Sequence, residues 1–250
     1  ADEIEGIAIC YSMGDGISAI TGIRKVRNRG IISREGAGKH IGGGTRVYDE
    51  IAGSDMPVIV IPGLHRGSPT DPRFKAYSHQ ASPEKIGILY EVSYDLGPDI
   101  VVCDASSNTV TLLVAGGRIA GAFDACIFAP GTRHGALDVD AIRRIDRGDA
   151  TANDAFLHAG VDYTVPPGLR VDTMAMFAAM ECAAMLLINP GASVALAGSM
   201  APAIAPGVKS LLAREVAVYD EWAAARGLAK IARDVFSGDA QEILGLTVDL

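Results

Sequence analysis

One stretch constrains this chain more than any other, residues 99–142. The run Ile100-Val-Val-Cys103 reads as an apolar strand that delivers a carboxylate, Asp104, into a turn of small residues, Ser106, Ser107 and Asn108. A second strand over 109–115 returns through Gly116-Gly117 into a third. A lone arginine, Arg133, then stands between Gly131 and Gly135, just ahead of a helix. Small residues let backbone N–H groups approach phosphate oxygens. A carboxylate can hold a metal ion or its water, and an arginine can neutralise charge on a transferring group. The combination points to phosphoryl chemistry.

Composition narrows the frame. With 250 residues, 49% of them hydrophobic, the chain can build one large domain or two small lobes. The net charge of −8 and the lack of a basic tract argue against nucleic acid as a partner. Cys10, Cys103, Cys126 and Cys182 are scattered, mostly within apolar runs, and form no CxxC pair, so reduced thiols and a cytoplasmic protein are expected. The acidic start Ala1-Asp-Glu3 suggests no signal peptide. The apolar tract 174–188 contains Glu181 and is too short to span a bilayer, so no membrane association is expected.

The remaining sequence alternates strands and helices. Strands are expected at 6–13, 57–61, 193–197 and 216–219, and a final apolar segment at 243–248. Helices are expected at 45–51, 84–96, 138–147, 151–159, 171–189 and 221–237. Ser82-Pro83-Glu84 has the form of a helix start, with serine as N-cap and acid near the positive end. The pattern predicts an α/β fold with a mixed sheet, divided inside 129–138.

Three familiar motifs fail. Gly36-Ala-Gly-Lys39-His40 lacks the first glycine and the final Ser or Thr of a P-loop. Gly14-Asp-Gly16 through Ala19 matches a loose dinucleotide fingerprint, but Asp15 would face a pyrophosphate with like charge. His65, His79, His134 and His158 have no metal-ligand spacing.

Separated segments nevertheless resemble one superfamily, that of actin and the sugar kinases. Asp104-Ala-Ser-Ser-Asn-Thr109 resembles its second phosphate-binding hairpin, and Ala195-Leu-Ala-Gly-Ser-Met-Ala201 its adenosine loop. Among catalytic members, Gly131-Thr-Arg-His-Gly-Ala-Leu-Asp138 resembles the Gly-Thr-Arg-Ser-Gly-Asp-Ile-Asp segment of acetate and butyrate kinases. Residues 74–79 are similar to their Phe-His-Gly-Thr-Ser-His region, with His79 as the match. Lys39-His40 and Gly43-Gly44 are similar to their substrate-side His-Arg-Val-Val-His-Gly-Gly segment. Over nearly its whole length the chain resembles an archaeal family, methanogenesis marker protein 12, on strings such as Ile9-Cys-Tyr-Ser-Met-Gly-Asp-Gly16 and Gly42-Gly-Gly-Thr-Arg-Val-Tyr-Asp-Glu-Ile51.

The resemblance implies a two-lobed actin-like ATPase (ribonuclease H-like) fold with mixed sheets flanked by helices. It implies a first lobe over 1–132, shortened at its N-terminal side, and a helix-rich second lobe over 133–250. About 70 family residues, half a domain by size, would precede Ala1. The implied activity is that of an ATP-dependent phosphotransferase or ATPase linked to methanogenesis. Asp104 would hold Mg²⁺, while Ser106, Ser107, Asn108, Thr109, Gly198 and Ser199 would hold ATP. Arg133 and His79 would stabilise the transferring group, and Lys39, His40, Gly43 and Gly44 would contact an unidentified small-molecule or protein acceptor. A homodimer is implied by the kinases alone. Ile61-Pro-Gly-Leu-His65 stands where acetate kinases carry a catalytic aspartate, and Met200-Ala-Pro202 where they carry a metal-associated glutamate. These departures leave open a non-catalytic nucleotide-sensing or assembly role in maturation of a methanogenesis enzyme.

Overall fold

Short, mostly apolar runs such as Val58–Val60 and Ile100–Ala105, fully buried, form the central strands of this molecule. In the computed structural model, which describes residues 4–11, 16–30 and 43–250, the chain groups into two units. One comprises Ala1–Pro98, Gly116–Gly121 and Ala223–Leu250, the other Asp99–Ala115 and Ala122–Trp222.

The first unit contains strands β1 (Ile7–Ile9), β2 (Ile20–Gly22) and β3 (Val58–Val60), with helix α1 (Gly43–Ala52) between the last two. A small hairpin follows, β4 (Leu64–His65) and β5 (His79–Ala81), and then helix α2 (Glu84–Leu96). The chain returns to this unit later in helix α8 (Ala223–Phe236) and the hairpin β11 (Glu242–Ile243) and β12 (Leu246–Asp249). The sheet order is β1-β3-β2-β12-β11, with β1 parallel to β3, β3 antiparallel to β2, and β2 parallel to β12. Ile9, Tyr48, Val58 and Val60 form a core between α1 and the sheet.

Helices α2 and α8 approach backbone to backbone because glycines face each other. A Cβ on Gly227 would fall 1.8 Å from the Gly87 carbonyl oxygen, and one on Gly87 would fall 2.5 Å from that of Ala224. Polar contacts line the crossing: Glu91 pairs with Arg226 at 2.9 Å and Lys230 at 2.8 Å, and the Tyr90 hydroxyl donates to Asp234 at 2.7 Å. Beside β1 and α8 runs a groove of about 760 Å³.

The second unit is built on β6 (Ile100–Ala105) and β7 (Thr109–Ala115), followed by β8 (Arg118–Phe123), which leads the chain from the first unit into the second. Helices α3 (Val139–Asp146), α4 (Ala152–Leu157), α5 (Val161–Thr164) and α6 (Arg170–Leu186) come next. Strand β9 (Ser193–Ala197), helix α7 (Ala201–Leu212) and strand β10 (Val216–Val218) complete it. The sheet order is β10-β9-β6-β7-β8, with β10, β9 and β6 parallel and β6–β7 an antiparallel hairpin. Every residue of β6 is buried, as in a strand covered on both faces. Gly116 and Gly117 have φ of +58° and +76°, the conformation that a tight two-residue hairpin turn demands.

Helix α7 is not among the elements read from the sequence, and it contains Pro202, Pro206 and Gly207, residues of low helix propensity. Pro202 occupies the first turn, where no N–H is required, so only Pro206 breaks the ladder. The apolar segment near 243–248 is a hairpin turning at Leu244-Gly245, with φ of +50° and +91°. The Ser82 hydroxyl does not cap α2 but donates to Glu84 at 2.5 Å. No described helix is long and apolar enough to cross a membrane.

Candidate functional site

The parallel pairing of β6 with β9 sets Asp104 beside Ala197, so the turn after β9 meets the end of β6. Gly198 makes this possible. Its φ is +91°, and a Cβ there would lie 2.3 Å from Asp104 Oδ1 and 2.6 Å from the Ala105 carbonyl oxygen. The Met200 N–H then donates to that same carbonyl at 3.0 Å. Asp104 is only 4% exposed, whereas Ser199 next to Gly198 is open to solvent.

The arginine loop is stitched to the tip of the hairpin. The Thr132 N–H donates to the Ser106 carbonyl at 2.9 Å, and the N–H groups of Arg133 and His134 donate to that of Ser107 at 3.1 and 2.8 Å. Thr109 is buried, and its hydroxyl donates to the Pro130 carbonyl at 2.9 Å. Three glycines allow this. A Cβ on Gly131 would sit 2.4 Å from Asn108 Cα, one on Gly135 2.5 Å from the Ala159 oxygen, and one on Gly160 2.3 Å from the Arg133 backbone. Sequence reasoning singled out Gly131 and Gly135 but missed Gly160, which has no neighbouring motif to betray it.

This scaffold leaves donors unspent. Among the described residues, no acceptor faces the N–H groups of Ser107, Asn108 or Ser199, and no carboxylate pairs with the exposed Arg133 guanidinium. Nearby Asp138 caps α3, its Oδ1 accepting from the Ala141 N–H at 2.9 Å. Unsatisfied N–H groups, an arginine and the start of the 12-residue helix α7 are anion-binding features. His134, in the same loop, carries a buried Nδ1 with no hydrogen-bond partner among the described residues. Burial, then the neighbouring Arg133 charge, holds its imidazole below the usual range, so it stays neutral against Phe156, 4.9 Å away.

Of the residues expected from sequence, Asp104, Ser106, Ser107, Asn108, Thr109, Arg133, Gly198 and Ser199 all fall in the second unit. His79 lies in the first unit on β5, its backbone paired with His65. Gly43 and Gly44 open α1, and a Cβ on Gly44 would meet nothing within 4 Å. Lys39 and His40 lie outside the described residues. His65 is a packed, satisfied side chain: Nδ1 accepts from the Gly67 N–H at 3.0 Å and Nε2 donates to the Ile17 carbonyl at 2.9 Å. The dinucleotide reading fails because residues 16–19 lead into β2, a strand antiparallel to β3, rather than into a helix.

No group of three metal-capable side chains occurs among the described residues. Magnesium needs no such cluster, since it is commonly held by one or two carboxylates with waters and phosphates. Asp104, against whose Oδ1 the Gly198 backbone packs, is the carboxylate that would serve in that mode. All four cysteines are free thiols.

No protein-family model matches the chain. The UPF0285 protein of Methanosarcina mazei is 46% identical over 270 aligned positions, covering 99% of this chain and 83% of that protein. The UPF0285 protein of Methanococcus maripaludis strain S2 is 43% identical over 276 positions, covering 99% and 85%. Among solved structures, a propionate kinase from Francisella tularensis matches 92% of this chain and 80% of its own with a TM-score of 0.52 at 9% identity. An acetate kinase from Porphyromonas gingivalis matches 92% and 79% with a TM-score of 0.51 at 11% identity. Such low identity speaks to fold alone: mixed sheets flanked by helices in an open arrangement, resembling the actin-like ATPases.

Proposed function

Because the chain belongs to the archaeal UPF0285 family and its fold resembles that of actin-like ATPases, we propose that it binds ATP and acts as a phosphotransferase or ATPase. One observation carries this reading. Two loops of a single unit, 131–135 and 198–200, are hydrogen-bonded to the 105–109 turn that follows Asp104, while among the described residues the N–H groups of Ser107, Asn108 and Ser199 stay unspent.

In this reading the N–H groups of Ser107, Asn108 and Ser199 bind phosphate oxygens, and Asp104 holds Mg²⁺ or a water bound to it. When bound, Mg²⁺ supplies charge neutralisation between the phosphates. Arg133 reaches the transferring phosphoryl group from a loop that its glycines and hydrogen bonds hold still. Little of its binding strength is then lost in ordering the side chain. Gly198, with no side chain, lets the 198–200 turn pack against Asp104 and Ala105 and so brings the Ser199 N–H to the same place. The link to methanogenesis comes through the family.

Arg133→Ala in the full-length protein tests the assignment. ATP turnover should fall on the order of 10²–10³-fold, as when one transition-state donor is removed. Nucleotide affinity measured by calorimetry should change little. Turnover equal to wild type removes Arg133 from catalysis. Binding of ATP and Mg²⁺ without turnover in the wild type assigns the family a nucleotide-sensing role instead.

A further inference from the structure

Behind the hairpin lies a carboxyl group that the proposed chemistry does not use. Glu181, in the middle of α6, is 1% exposed and the most buried acid among the described residues. Its oxygens touch two different segments. Oε2 accepts from the Thr111 hydroxyl on β7 at 2.7 Å, and Oε1 accepts from the Ala129 N–H at 3.1 Å. Thr111 stands on the strand that leads away from the hairpin tip, and Ala129 two residues ahead of Gly131. The side chain therefore joins the two pieces that carry Ser107, Asn108 and Arg133.

A buried acid with no cation beside it is an expensive choice when only packing is required. Among the described residues no lysine, arginine or histidine pairs with Glu181. The ionisable groups facing it are Asp124, from the segment after β8, and Cys103 on β6; the Cys103 thiol in turn bonds to Thr111 and to Cys182 on α6 itself. We propose that Glu181 is a positioning residue for the site: its protonated form locks the 129–134 loop onto the hairpin, and its ionised form loosens that loop.

The protonated arrangement is fully satisfied. A proton taken up from solvent sits on Oε2 and is donated to Thr111 Oγ1. The Thr111 hydroxyl turns its own proton towards the Cys103 sulfur, and Oε1 still accepts from Ala129. The ionised form has the same two donors but gains by admitting water, and the way to admit water is to open the loop. Burial, reinforced by Asp124, pushes the carboxyl up to about 7, so both forms are populated near neutrality. Linkage gives the sign: if opening exposes the group to water, rising pH favours the open state.

A role in turnover rests on the nucleotide reading, but the coupling between Glu181 and the loop does not. The test is amide hydrogen exchange on the full-length protein without nucleotide, read at Ala129, Thr132, Arg133 and His134. In the wild type, protection of these amides should fall about tenfold between pH 6 and pH 8, after correction for intrinsic exchange. Glu181→Gln, which imitates the protonated form, should show the same protection at both values, at or above the wild-type level at pH 6. A flat wild-type profile, or a variant that tracks the wild type, overturns the proposal. Should the variant fail to fold, the carbon resonance of the wild-type Glu181 carboxyl decides. It must titrate with the same midpoint as the Ala129 amide, and separate midpoints refute the coupling. If the loop responds but ATP does not bind, only the nucleotide reading is lost.

Discussion

Gly198 and Arg133 separate what the fold needs from what the site offers. Gly198 is required by both: its φ of +91° disfavours any side chain, and a Cβ would press on the Asp104 carboxylate. Gly198→Ala should lower stability by about 2 kcal/mol in urea titration and weaken ATP binding at least tenfold. Arg133 makes no ion pair among the described residues, so its replacement by alanine should shift stability by less than about 0.5 kcal/mol. Glu181 gives the clearest pH dependence. Its folded-state pKa of about 7 lies above the ordinary carboxyl value of 4.5, so between those values the native protein holds a proton that the unfolded chain has released. Stability is therefore highest below that window and falls as pH rises through it, by at most about 3 kcal/mol. Urea midpoints at pH 5 and pH 8 check this, and Glu181→Gln should flatten the difference. A stability that rises between those pH values contradicts the sign.

At the scale of elements, periodicity and punctuation identified most of the structure. Strand β9 and helices α2, α3 and α6 appear within a few residues of their sequence-read ends because Pro, Gly and alternating apolar runs mark them. Helix α7 was not read from the sequence because it carries two prolines, Pro202 in its tolerant first turn and Pro206 in its interior. The hairpin β11–β12 was hidden by an apolar run too short to distinguish strand from helix. The loop chemistry was legible at Asp104, Arg133 and Gly198, where small residues cluster. Glu181 was not, because an acid inside the apolar stretch 174–188 gives no sign of which neighbours it will meet. The Gly87–Gly227 contact was equally invisible, since it joins residues 140 positions apart. Gly227→Ala forces α2 and α8 apart against a backbone carbonyl and should cost about 3 kcal/mol or more by thermal or urea unfolding. A loss below about 1 kcal/mol would mean that the helices can separate freely.

For the molecule as a whole, the sequence indicated two bodies, but their composition is interleaved. The boundary read inside 129–138 falls within the second compact unit, whose chain enters at Asp99 and leaves at Trp222. Local composition carries no trace of this, because the return of α8 and the β11–β12 hairpin to the first unit is decided by long-range sheet pairing. Family membership was legible through strings spread along most of the chain, and the fold followed from it. The central claim is that three loops of one unit grip the phosphates of one nucleotide. The most direct measurement is a titration of the isotopically labelled full-length protein with ATP and Mg²⁺, following backbone amide resonances. The amides of Ser107, Asn108 and Ser199, together with the Arg133 side chain, should shift along one binding curve with a single Kd. Shifts confined to other parts of the chain, or different curves for the three loops, would contradict the account.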